Sequence, residues 1–220
     1  MTLTTRTSPR VINAGLLLLI LASLFVHPGV ALADDSNEAS LPTFMDFSIS
    51  VQNGQASVLR GVYTRDVLAL PVVQQPSDSP AYVSSYDGLV TQFGMAAQYG
   101  TVGLLAHNHL AGRSFSGLAV GQEVRLVYGD GHVERFVITE VLEYQALQPT
   151  SPYSSFRDLA SDEVLSAQQM FQRVYQGERH ITFQTCIDAE GNSSWGRLFV
   201  IAVPDPQHLN YDRLDRQTWH

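Results

Sequence analysis

The sequence predicts a mainly β fold, built as one barrel or sandwich, and three observations lead to this prediction. From Phe44 onward, apolar and polar residues mostly alternate with a period of two, which is typical of strands with one buried face. Two such runs, Glu123–Tyr128 and Val133–Val141, flank Gly129-Asp130-Gly131, and an Asp-Gly turn between alternating runs predicts a hairpin. Many short strands in one chain favour a closed barrel or two packed sheets.

The earlier strands are predicted from their own side-chain patterns. The segment Phe44–Val51 alternates, and the short apolar run Val102–His107 has the length of a buried strand. Residues 57–63 and 67–73 are apolar and in part β-branched, which favours strands. Residues 74–80 are rich in Pro, Ser and Asp, so they are predicted to form a loop.

One helix is predicted in the C-terminal half, beginning near Ser161. Acidic residues fill its first turn, an apolar face follows, and Gly177 ends it. Residues 179–187 and 195–203 are predicted as a final pair of strands, joined by the polar segment 188–194. The sequence therefore predicts a mainly β chain with one or two short helices.

The composition limits the chemistry that is open to the chain. Its 220 residues are 45% hydrophobic and 15% charged, as in a globular protein. The chain contains no lysine, which excludes Schiff-base chemistry and a Walker-type phosphate grip. Cleavage after Ala33 would leave 11 arginines against 21 acidic residues, a formal charge of −10. Such a charge repels phosphates and anionic lipids, so nucleic acid is not an expected partner.

The N-terminus has the parts of an export signal. Two arginines precede the apolar run Gly15–Val26, and the small-x-small sequence Ala31-Leu32-Ala33 follows it. The run of 12 residues is short for a membrane span of about 20, so an uncleaved anchor is the alternative to a cleaved signal. We expect an exported protein, extracellular or associated with the cell envelope, that meets the membrane only through this segment and only if the segment is uncleaved. The predicted organisation is a signal peptide over 1–33, a flexible leader over 34–43, a catalytic domain over 44–204 and a polar tail over 205–220.

Three residues carry the candidate chemistry. Cys186 is the only cysteine, and an unpaired thiol in an exported protein is either a link between two chains or a reactive group. Thiols are mostly protonated at neutral pH and need an activating neighbour. If the last two strands pair, Arg197 can stand beside Cys186, where a permanent cation favours thiolate and holds an oxyanion. His107 ends a buried strand, a position from which a rigid scaffold can present a base.

Each of these residues also has a structural interpretation. Cysteine is often a small buried apolar residue, His107 could be a hydrogen-bonded core residue, and Arg197 could cap a sheet edge. His107 and His109 also have the spacing of a metal-binding pair. A third ligand at suitable spacing is not evident, since Asp130 and His132 are candidates only by proximity in sequence, and no metal is expected. His107 is preferred over His109 as the base because it directly ends the apolar strand.

Together these segments resemble the sortases, the cysteine transpeptidases of bacterial cell surfaces. The sortase motif Thr-Leu-x-Thr-Cys corresponds to Thr182-Phe183-Gln184-Thr185-Cys186, and the arginine of the next strand corresponds to Arg197. The strand that ends in histidine corresponds to Leu104-Leu105-Ala106-His107. It is followed, as in the family, by Phe115-Ser116-Gly117-Leu118 and Gly121-Gln122-Glu123-Val124. The three motifs agree in order and spacing.

The resemblance implies an eight-stranded sortase-type β-barrel with the active site at one end. It implies that Cys186 attacks the threonine carbonyl of a C-terminal sorting signal and forms an acyl-thioester. His107 would protonate the leaving amine and later deprotonate the incoming one, while Arg197 would hold the oxyanion or orient the peptide. Thr182 and Thr185 would bind substrate. The implied partners are a sorting-signal peptide of a surface protein and an amine acceptor; no cofactor is implied, and a structural calcium ion is not assignable from the sequence.

Two other functions fit parts of the sequence. An L,D-transpeptidase-like or hydrolytic cysteine peptidase of the cell envelope also pairs histidine with cysteine on a β scaffold. In L,D-transpeptidases the histidine lies close upstream of the cysteine, whereas His107 and Cys186 are separated by 79 positions. The other possibility is a non-catalytic sortase-fold module that binds an extracellular peptide, against which the intact Cys-His-Arg set argues.

Overall fold

The computed structural model describes residues 40–206. The predicted signal peptide, residues 34–39 of the leader and the tail from residue 207 lie outside the described residues. None of the helices formed by residues 40–206 combines the length and the hydropathy needed to cross a bilayer.

Strands account for most of the regular structure. The described residues form β1 (Leu59–Thr64), β2 (Leu68–Gln74), β3 (Val90–Phe93), β4 (Val102–Leu105), β5 (Glu123–Tyr128), β6 (Val133–Ala146), β7 (Phe156–Asp158), β8 (Val164–Leu165), β9 (Ile181–Ala189) and β10 (Asn192–Pro204). Within the same range lie the helices α1 (Phe44–Val51), α2 (Gly94–Ala97) and α3 (Ala167–Tyr175), and a 3-10 helix (Ala111–Gly117).

The sheet closes on itself and forms an eight-stranded barrel. Neighbouring strands are hydrogen-bonded in the order β10-β9-β4-β3-β2-β1-β5-β6, and β6 also pairs with β10, which completes the ring. Strands β7 and β8 extend outward from β6. Closure leaves no open edge in the ring, which removes the risk of edge-to-edge pairing. The predicted mainly β fold and the eight-stranded barrel are confirmed.

The barrel interior is filled by alternate side chains of each strand. Leu104, Leu126, Phe183 and Val200 are fully buried there. Phe115 of the 3-10 helix enters this core and meets Phe183 edge to face, with ring centroids 5.2 Å apart. Each such side chain contributes roughly 1.5–3 kcal/mol by leaving water. The 3-10 helix is thereby held against the barrel, directly beside the candidate site.

The predicted strand at Phe44–Val51 is wrong, because these residues form α1. Its apolar residues fit a period of two, but Phe47 and Val51 lie four residues apart and share a helical face that packs on Tyr63. Thr43 caps the helix by accepting the backbone N–H of Asp46. Gly61 makes the contact possible, since a Cβ there would lie 2.9 Å from the Phe47 ring.

The predicted helix exists but begins later than expected. Val164 and Leu165 form β8, and α3 starts after Ser166, whose side chain forms a capping box with Gln169. Gly177 follows the helix end in a left-handed conformation, with φ of 119°. The acidic residues near Ser161 therefore precede β8 rather than fill the first turn of a helix.

Both predicted strand pairs are present. Strands β5 and β6 pair as an antiparallel hairpin across the Asp-Gly turn, and β9 pairs antiparallel with β10. The last connection is tighter than predicted, because β9 runs to Ala189 and β10 begins at Asn192. Glu190 and Gly191 form the turn with φ of 53° and 74°, a left-handed conformation that glycine adopts without strain.

Candidate active site

The register between β9 and β10 determines where Cys186 and Arg197 lie. Cys186 is directly opposite Arg197 in the antiparallel pair, and directly opposite residues share one face of the sheet. Their neighbours Phe183, Leu198 and Val200 belong to the barrel interior. Because successive side chains alternate between faces, Cys186 and Arg197 lie on the outer face. The sequence-based expectation that these two residues stand side by side agrees with this register.

The parallel pairing of β4 with β9 brings the histidine segment to the same end of the barrel. Leu105 is aligned with Gln184, and the next backbone N–H, that of Ala106, donates to the Gln184 carbonyl at 3.2 Å. Every aligned pair of the two strands differs by 79 positions. His107 and Cys186 differ by the same 79 positions, so His107 follows β4 at the level of Cys186.

Arg197 is tied to its own strand in this structure. Its Nη1 donates to the carbonyls of Ser194, at 3.0 Å, and Gly196, at 2.8 Å. Among the described residues no partner is recorded for Nε or Nη2. The guanidinium is therefore held beside the strand position of Cys186 while part of its donor capacity stays free.

A cavity of about 380 Å³ opens beside Cys186. His107 and Arg197 are not among its lining residues, although His109 is. The cavity is lined by Asn108, His109, Gly112, Arg113, Ser116, Glu143, Thr185, Cys186, Ile187, Asp188, Ser193 and Leu198.

The two histidines of the segment lie against each other. The rings of His107 and His109 are stacked, with centroids 5.5 Å apart and an interplanar angle of 28°. His107 is half-buried and His109 is exposed. The structure thus brings two imidazoles to the end of the barrel that carries Cys186, and the preference for His107 as the base stays a prediction.

A tight turn holds the histidine segment in place. The backbone N–H groups of Leu110 and Gly112 both donate to the His107 carbonyl at 3.0 Å. The Asn108 amide donates to the Ser193 carbonyl at 2.9 Å, which connects the segment to the start of β10. A Cβ on Gly112 would overlap Thr185 Oγ1 and would lie 2.7 Å from the His107 carbonyl oxygen. Only glycine fits at this crossing.

We expect Gly112→Ala to displace the histidine segment, because the added methyl group meets backbone as well as side-chain atoms. Overpacking of this kind costs about 1–3 kcal/mol. Urea unfolding should report that loss in the free energy of unfolding. Gly94→Ala is the matched control, since a Cβ there meets only the end of the flexible Gln75 side chain, at 3.4 Å. Equal stability of the two variants would contradict the assigned crowding at Gly112.

The two threonines proposed to bind substrate lie in different surroundings. Thr185 lines the cavity, is 5% exposed, and its hydroxyl has no partner among the described residues. Thr182 is fully buried, and its hydroxyl donates to the Val174 carbonyl at 2.5 Å, close to the C-terminal end of α3. Thr182 is not among the cavity-lining residues. The structure therefore brings Thr185, and not Thr182, to the cavity beside Cys186.

An ion pair that the sequence did not indicate borders the cavity. Arg113 Nη2 donates to Asp87 Oδ2 at 2.8 Å, and this hydrogen bond lowers the pKa of the Asp87 carboxyl. Glu143 and Asp188 also line the cavity and were not predicted. These residues come from four separate segments, so no local motif marks them. Only Asp188, two positions after Cys186 on one strand, could have been found from strand periodicity.

The possible metal ligands do not converge. Within residues 40–206, no group of three or more His, Cys, Asp or Glu side chains could hold a metal ion. His132 and Asp130 lie in the turn of the β5–β6 hairpin, where the His132 ring packs on Tyr128, with centroids 5.5 Å apart. The His107–His109 pair thus gains no third ligand from the described residues.

The barrel and the residues at its end define the class of protein: a closed eight-stranded β-barrel with a cysteine, an arginine and two histidines at one end.

No protein-family model matches the chain, and no curated protein matches it. Solved structures similar to this chain include sortases of several classes. Listeria monocytogenes sortase A has 11% identity, with 68% of this chain and 88% of that chain covered and a TM-score of 0.44. The Clostridium perfringens sortase D5 transpeptidase has 13% identity, with 73% of this chain and 88% of that chain covered and a TM-score of 0.44. Actinomyces oris sortase C-1 has 10% identity, with 78% of this chain and 85% of that chain covered and a TM-score of 0.45.

Proposed function

We propose that this chain is an exported, sortase-like cysteine transpeptidase of the cell envelope. It cleaves a C-terminal sorting-signal peptide through an acyl-thioester and transfers the peptide to an amine. The observation that supports the proposal most directly is the alignment of three strands, which brings Cys186, Arg197 and the segment of His107 to one end of the barrel. A nucleophile, an acid/base group and a cation at one place are the parts that acyl transfer requires.

In the proposed acylation step, the Cys186 sulfur attacks the carbonyl carbon of the scissile amide. The carbon–nitrogen bond breaks, the sulfur–carbon bond forms, and the proton of the thiol passes through His107 to the leaving nitrogen. Arg197 donates to the oxygen that becomes negative in the tetrahedral intermediate, using guanidinium nitrogens without partners among the described residues. The peptide occupies the cavity beside Cys186, whose lining includes Thr185, although the Thr185 hydroxyl itself is buried.

In the proposed transfer step, an amine replaces the leaving group in the cavity. His107 takes a proton from the incoming nitrogen as it attacks the thioester, and the sulfur leaves as the thiol. Water in place of the amine would give hydrolysis. The cavity is open to solvent, so the choice between the two outcomes depends on how strongly an amine binds there.

Mass spectrometry of the purified domain tests this proposal. We expect incubation with a library of Leu-Pro-x-Thr-x peptides to give a covalent adduct of the Thr-terminated fragment on Cys186. Candidate amines such as glycinamide should then convert that adduct to a transpeptidation product. Hydrolysed peptide alone would indicate a peptidase, and intact peptides with unmodified protein under all conditions would indicate a non-catalytic module.

A further inference from the structure

When the amine leaves and enters as ammonium, each half-reaction exchanges one proton with solvent besides the proton that His107 carries. In acylation the thiol proton reaches the leaving nitrogen through His107, and the amine needs a further proton from solvent to leave as ammonium. In transfer the incoming ammonium loses two protons, of which one returns to the thiol and the other must reach solvent. Each half-reaction therefore exchanges one proton with bulk water, and a second acid/base group open to solvent would carry it.

His109 has the position that such a group requires. It lines the cavity beside Cys186, its side chain is exposed, and its ring is stacked on that of His107 with centroids 5.5 Å apart. Among the described residues no hydrogen bond is recorded for either of its ring nitrogens. One ring is thus stacked on that of the proposed base, and the His109 nitrogens are free to exchange protons with substrate or water.

The side chains around His109 are mostly charged rather than apolar. Arg113 donates to the His109 backbone carbonyl at 3.3 Å and pairs with Asp87. Asp87 is close enough for the charge of a protonated His109 to lower the pKa of its carboxyl. Glu143 and Asp188 line the same cavity. The ring of His109 therefore faces a polar cavity lining, and the Arg113 guanidinium is already paired with Asp87.

We propose that His109 is a second proton-transfer group of the active site, which exchanges a proton between the amine in the cavity and solvent while His107 serves the thiol. This inference rests on the proposed transpeptidase function. It assigns separate tasks to two adjacent histidines, of which the sequence alone favoured one. A histidine that only packed against His107 would not need access to the cavity.

Single-turnover kinetics of His109→Phe test the assignment. Phenylalanine keeps a flat ring for stacking and removes proton transfer, so each half-reaction should slow by about 100-fold. Imidazole added at constant pH should accelerate the variant in proportion to its concentration, because a small base can replace the missing group. His132→Phe, in the hairpin turn on Tyr128, is the matched control and should behave like the wild-type protein.

Three results would overturn the assignment. They are an unchanged rate in His109→Phe, a slow rate that imidazole does not restore, and full activity in His107→Phe with none in His109→Phe. Thioester formation after long incubation provides a separate readout. If the wild-type protein forms no thioester with any peptide, the proposed function fails. If it forms one and His109→Phe matches it in rate, only the role of His109 fails.

Discussion

Cys186→Ala should abolish thioester formation and lower peptide processing by more than about 1,000-fold, because the variant retains no nucleophile. The substitution should remove the reaction without lowering the stability of the fold. Cys186 is half-buried on the outer face of the barrel, outside the three hydrophobic clusters, so its removal leaves the core intact. Intact-protein mass spectrometry measures the adduct, and liquid chromatography measures the released peptide.

Thermal unfolding provides the control for that experiment. The midpoint of Cys186→Ala should match that of the wild-type protein, since the substitution removes no core contact. Cys186→Ser keeps the size of the side chain with a weaker nucleophile, and we expect it to form no adduct either. Processing by Cys186→Ala at the wild-type rate would show that the reaction, if any, does not use the thiol.

The mainly β fold could be predicted from the sequence because runs such as β5 and the first part of β6 alternate, whereas the eight-stranded barrel was implied by the resemblance to the sortases. In β9, Ile181 and Phe183 face the interior while Cys186 faces outward, and the same period in β10 turns Arg197 outward. Two alternating runs that pair fix which side chains share a face. The constant offset between β4 and β9 was not visible in the sequence, because parallel register depends on the whole barrel rather than on a local turn.

The wrong strand prediction at residues 44–51 and the unpredicted cavity each have a specific physical cause. The apolar residues of Phe44–Val51 fit the period of a strand and that of a helix alike. The helix forms because its apolar face packs against Tyr63. The cavity was not predictable, because Arg113, Glu143 and Asp188 come together only when the 3-10 helix, β6 and β9 are in place. Charged side chains that gather from distant segments leave no spacing pattern, unlike residues along a single strand.

Arg197→Gln should reduce the rate of thioester formation by about 100- to 1,000-fold, the usual effect of removing one oxyanion donor. Glutamine keeps a side-chain amide that can donate one hydrogen bond but loses the charge and the planar fork. Arg197→Lys should retain part of the activity, because it keeps the charge without the paired donors. Stopped-flow acylation with a cleavable peptide measures the rate, and its dependence on peptide concentration separates binding from chemistry.

Arg157→Gln is the control for the loss of a positive charge. Arg157 lies on β7, is exposed, and does not line the cavity, so its replacement should leave acylation unchanged. If Arg197 served only to anchor β10 through the carbonyls of Ser194 and Gly196, the Lys and Gln variants would lose stability and activity together. A drop in acylation rate at an unchanged unfolding temperature would instead support the oxyanion role, because a charge that acts on the transition state need not stabilise the folded chain.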